Sequence, residues 1–128
     1  MPADSITGVI LEVAGSQGVD VVAAYANHCA RSASASGATV TWQRSDESLD
    51  ALIDAVLAAA PAACEGVPIV DANDRPAMRF GEARVSIVGA DGLRAVQAPM
   101  LMLASNPRLA VVLRTAAALM RELAAKGP

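Results

Sequence analysis

Three groups of residues have types and spacing suited to chemistry, and the first is a glycine-rich turn. The sequence predicts that Gly15, Ser16 and Gly18 lie between a strand and a helix. Backbone N–H groups at such a helix N-terminus are candidates for holding the phosphate of a cofactor. The dinucleotide and P-loop fingerprints are both missing, and Asp20 in the first turn of the predicted helix would repel an anion. An ordinary strand-to-helix turn is the simpler interpretation.

The second group is a polar segment that follows the third predicted strand. Asp71, Asp74, Arg75 and Arg79 are candidates for a catalytic or ligand-binding cluster, because ligands of α/β proteins often bind at strand ends. A calcium loop is excluded, since Arg75 occupies an oxygen-ligand position and Pro76 replaces the glycine of the sharp turn. A solvated turn is the alternative interpretation.

The third group is the pair His28-Cys29, which the sequence places on a helix. Neighbours on a helix point about 100° apart, so this imidazole cannot readily activate the adjacent thiol. His28 is the only histidine and therefore the only near-neutral base available for catalysis. Cys29 and Cys64 lack the spacing of metal ligands. We therefore expect two free thiols, no metal site and no cofactor.

Composition restricts the class of protein further. The chain has 128 residues, of which 54% are hydrophobic and 2% aromatic, which predicts one domain, residues 1–128, with an aliphatic core. Its net charge of −3 argues against a nucleic-acid partner. No apolar run is long enough to span a membrane, and the first residues do not resemble a signal peptide. We therefore expect a cytoplasmic protein without a membrane partner.

Hydrophobic periodicity predicts the elements that position these residues. The predicted strands are 6–14, 38–43, 67–70 and 83–88, with one or two more between 93 and 105. The predicted helices run over 19–34, from Ser45 or Asp46 to Pro61, and from Pro107 to the residue before Gly127. Met78–Phe80 is a possible hairpin arm, and Asp91-Gly92 is typical of a hairpin turn. The order favours an α/β or α+β fold with a mixed sheet of about five strands flanked by three helices.

The sequence favours a non-catalytic accessory or regulatory domain that acts through protein contacts. Its mean hydropathy of +0.40 is high for a small chain, which suggests that apolar surface is covered by a second copy or by another subunit. The alternative is a small enzyme or ligand-binding protein, with a small-molecule site at a strand end or at a subunit interface.

Overall fold

The computed structural model describes residues 5–73 and 75–126 and has an α+β fold. Within these residues one seven-stranded sheet is formed entirely from antiparallel pairs. The strands are β1 (Ile6–Gly15), β2 (Gly18–Tyr25), β3 (Ala30–Ala33), β4 (Thr39–Trp42), β5 (Ile69–Val70), β6 (Glu82–Gly89) and β7 (Gly92–Pro99). The helices are α1 (Asp50–Ala63), α2 (Met100–Ala104) and α3 (Pro107–Lys126).

The strand order is β4-β3-β2-β1-β6-β7-β5, so the two halves of the chain meet where β1 pairs with β6. Two-residue turns close the longest hairpins, with Gly15 opposite Gly18 and Gly89 opposite Gly92. In these hairpins the length of the turn fixes the register of the two strands. Glu12 of β1 consequently lies opposite Arg84 of β6.

The hydrophobic core lies on one face of the sheet, under α1 and α3. Aliphatic side chains of the central strands project onto this face because alternate residues of a strand point the same way. Ile53 of α1 and Leu119 of α3 are both 0% exposed and mark the centre of the layer. The main sheet residues of the core are Val9, Leu11, Val22, Val85 and Ile87. Among the described residues, no helix packs on the opposite face of the sheet.

The predicted helix over residues 19–34 is wrong: this segment forms β2, a turn and β3. Its apolar residues satisfy helical spacing by coincidence, because Val22 and Ala24 also alternate toward the core. The turn lacks glycine. Instead His28 adopts a left-handed φ of 65°, and the Asn27 Oδ1 accepts a hydrogen bond from the Cys29 N–H. Asn27 and His28, rather than a glycine, therefore stabilise this turn.

The expected mixed sheet of about five strands is also corrected, to seven strands that are all antiparallel. Because β2 and β3 replace the predicted helix over residues 19–34, the described first half of the chain has no helical crossover that could join two parallel strands. The predicted arm at Met78–Phe80 is not a strand, whereas the strands at 6–14 and 83–88 are confirmed with small extensions.

The two later helices are confirmed, with changes at their ends. Helix α1 starts at Asp50 rather than near Ser45, and Pro61 lies inside its last turn. Arg44 Nη2 lies 2.6 Å from Asp50 Oδ2, and this hydrogen bond lowers the pKa of the Asp50 carboxyl. Helix α3 starts at Pro107, as expected. None of the helices in the described part of the chain is long and apolar enough to cross a bilayer.

Candidate functional site

Residues 75–81, which we call the strap, lie across the helix-free face of the sheet. Two backbone carbonyls fix the strap to sheet side chains. The Pro76 C=O accepts a hydrogen bond from Arg84 Nη1 at 2.8 Å, and the Ala77 C=O accepts one from Gln97 Nε2 at 3.3 Å. The strap ends where the Gly81 N–H donates to the Ala14 carbonyl of β1. It therefore covers β6 and β7 on the face opposite the core.

An ion pair lies beneath the strap. Arg84 binds both carboxylate oxygens of Glu12, through Nε at 2.9 Å and Nη2 at 3.1 Å. Its Nη1 also donates to Gln97 Oε1 at 2.9 Å. The side chains of Arg84 and Glu12 are only 10% and 17% exposed. Because a bidentate pair in such a sheltered position is strong and directional, it orients the whole group.

Arg75 extends this group from the strap into the sheet. Its Nη2 lies 3.1 Å from Glu12 Oε1 and 2.6 Å from the Oγ of Ser86, whose side chain is fully buried. Two guanidinium groups therefore share one carboxylate. We call these five side chains the strap network: Glu12, Arg75, Arg84, Ser86 and Gln97.

A cavity of about 220 Å³ opens between the strap and the sheet. Its charged walls are Arg75 and Arg84, and its remaining polar wall is Gln97. Three apolar residues complete the lining, namely Val70, Pro76 and Ala95. The cavity thus combines positive charge with a small apolar space.

The predicted polar cluster after β5 is only partly brought together. Arg75 enters the strap network, whereas Asp71 is exposed and accepts a hydrogen bond from the Asn73 N–H. Arg79 is also exposed, and its N–H donates to Glu82 Oε1. Asp74 lies outside the described residues. Of the three described members, Arg75 alone lines the cavity.

The other predicted candidates lie elsewhere. His28 is in the turn between β2 and β3, where its Nε2 lies 2.9 Å from Asp54 Oδ1 of α1. Gly15, Ser16 and Gly18 form the turn between β1 and β2, so no helix follows them and no helix N-terminus is available to a phosphate. The physical basis for a phosphate cradle at this turn is therefore removed.

Sequence reasoning missed four members of the strap network, namely Glu12, Arg84, Ser86 and Gln97. The available signal was a charged residue inside an apolar strand: Glu12 occurs between leucine and valine, on the strand face opposite Leu11. Arg84 and Ser86 likewise alternate with apolar residues of β6. Each pattern predicts a polar face, but neither shows that these faces belong to neighbouring strands.

A second feature is the outer edge of β7. This strand pairs with β6 over its full length, but its only pairs with β5 are at Leu93 and Arg94. Since Gly89 and Gly92 close a two-residue turn, alternate residues from Gly92 onward direct their backbone groups toward β6. The backbone N–H and C=O groups of Ala95 and Gln97 therefore point outward. No strand in the described part of the chain pairs with them.

Exposed apolar side chains adjoin this edge. Phe80 is 76% exposed, Leu101 85% and Met102 64%. Their backbone segments are joined, because the Met100 N–H donates to the Gly81 carbonyl at 2.8 Å. Strand β7 runs directly into α2, so these residues follow the end of the unpaired edge. We call Phe80, Leu101 and Met102 the apolar patch.

Within residues 5–73 and 75–126, no three His, Cys, Asp or Glu side chains are placed to hold a metal ion together. A scan against protein-family models finds no match for the chain, and searches of curated proteins and of solved structures find no significant similarity. The geometry singles out two features: the strap network with its cavity, and the β7 edge with the apolar patch.

Proposed function

We propose that this chain is a non-catalytic interaction domain that forms a homodimer through the outer edge of β7 and the apolar patch. The observation that carries the proposal is the unpaired edge at Ala95 and Gln97, next to three exposed large apolar side chains. Unpaired strand edges are templates for a further strand, and natural proteins usually block them. Here a second copy of the chain would cover both the backbone groups and the patch.

The residues of the edge favour a second copy as the occupant. Two β7 strands that pair antiparallel about a twofold axis place the same residues on both sides. Residues 95–99 contain no charged side chain, so two copies meet without like-charge repulsion. Pro99 ends the pairing because it has no N–H to donate.

The patch supports the same arrangement energetically. Leu101 and Met102 expose most of their surface, and covering a side chain of this size contributes about 2 kcal/mol. A few backbone hydrogen bonds across the twofold axis would fix how the two strands align but would add little affinity, since each contributes about 1 kcal/mol net. The dimer would thus depend mainly on the patch, with its register set by β7.

Sedimentation equilibrium of the purified chain tests this proposal. At micromolar concentration we expect a mass of twice the 13.0 kDa of one chain. Dilution should convert this species reversibly to the monomer. A monomeric mass throughout the micromolar range would contradict the proposal, and a larger closed oligomer would require a second interface.

A further inference from the structure

We propose that the cavity beneath the strap binds a small organic carboxylate, independently of dimer formation. The proposal rests on three properties of the cavity walls. The first is an excess of positive over negative charge, and the second is a set of hydrogen-bond donors that have no partner among the described residues. The third is an apolar space next to those donors.

Charge is the first property. The cationic walls Arg75 and Arg84 share a single carboxylate, that of Glu12, which lies behind them in the sheet. Within residues 5–73 and 75–126 these two guanidinium groups pair with no second carboxylate, so one positive charge has no partner there. Because Arg84 is only 10% exposed, water screens the charge of this pair less in the cavity than it would at an open surface.

The free donors are the second property, and they belong to Arg75. Arg84 is nearly saturated, since its three nitrogens already make four hydrogen bonds to Glu12, Pro76 and Gln97. Arg75 donates only through Nη2, so its Nε and Nη1 have no hydrogen-bond partner among the described residues. Its side chain is 33% exposed, so solvent reaches part of it.

The apolar walls are the third property and define the ligand class. Val70, Pro76 and Ala95 lie beside the guanidinium groups in about 220 Å³. This volume is below that of sites for drug-sized ligands, so the bound molecule must be small. A carboxylate with a short branched hydrocarbon body pairs its charge with Arg75 and places its methyl groups against these walls.

A titration followed by ¹H–¹⁵N NMR tests the proposal with isovalerate as the probe. We expect saturable shifts, with a millimolar dissociation constant, at the amides of Arg75, Ala95 and Gln97. Isovaleramide has the same shape without the charge, and it should bind about tenfold more weakly, because charged hydrogen bonds are the stronger ones.

Two variants and one control define the outcome. Arg75→Gln should weaken isovalerate binding about tenfold by removing the free charged donors. Ala95→Leu should abolish binding, because the larger side chain fills the cavity without changing any charge. Arg79→Gln removes an exposed arginine of the strap that does not line the cavity, and it should bind like the unaltered chain. Equal binding of isovalerate and isovaleramide, equal behaviour of Arg75→Gln and Arg79→Gln, or no saturable shift would each overturn the proposal.

Discussion

Replacing Arg84 with methionine should lower the free energy of unfolding by about 3 kcal/mol, because it leaves a sheltered carboxylate without its bidentate partner. Glu12 would retain only the contact with Arg75 at 3.1 Å. The Pro76 carbonyl and Gln97 Oε1 would also lose the donor that now satisfies them. Urea unfolding of the variant and the unaltered chain measures this difference directly.

Two further variants make this result specific. The double change Glu12→Gln with Arg84→Met removes both charges, so it should cost less than Arg84→Met alone. Arg108→Met breaks the pair between Arg108 and Glu65, whose side chains are 56% and 69% exposed. We expect that surface control to lose less than about 1 kcal/mol. If Arg84→Met and Arg108→Met were equally stable, the strap network would not hold the strap on the sheet.

Replacing Leu101 or Met102 with glutamate should raise the dissociation constant of the dimer by about 100-fold. Each change removes apolar surface that the interface would cover and places a charge there instead. Both side chains are mostly exposed in the single chain, so the fold of the monomer should be unaffected. Sedimentation over a concentration series measures the constant.

Ala58→Glu provides the matched control for these two variants. Ala58 is on the exposed side of α1, away from β7, and the change adds the same charge to a helix. It should leave the dissociation constant unchanged. Equal constants for Leu101→Glu and Ala58→Glu would exclude the apolar patch from the interface.

The sequence predicts correctly those elements whose residue pattern fits only one type of secondary structure. Helix α3 has a proline at its first position and a long one-sided apolar stripe, and its start was predicted correctly. The segment of β2 and β3 is rich in alanine and small residues, which satisfy helical and strand periodicity equally well. Local pattern cannot decide such a segment, because pairing with β1 does so.

The candidate site was less accessible to prediction than the fold. Arg75 was singled out because it lies in a polar segment after a strand, and that reasoning needs only local sequence. Its partners depend on the pairing of β1 with β6, which brings Glu12 and Arg84 together across 72 positions of the chain. The packing of the whole sheet determines which distant strands become neighbours, so no local sequence motif predicts this pairing.

Amide hydrogen exchange at Ala95 and Gln97, measured by NMR above and below the dissociation constant, tests the proposed dimer most directly. These N–H groups point away from β6 and have no strand partner in the described single chain. If two copies pair through β7, both amides should be protected at high concentration and should exchange rapidly on dilution. Rapid exchange of both amides in a sample that sedimentation shows to be dimeric would contradict pairing through this edge.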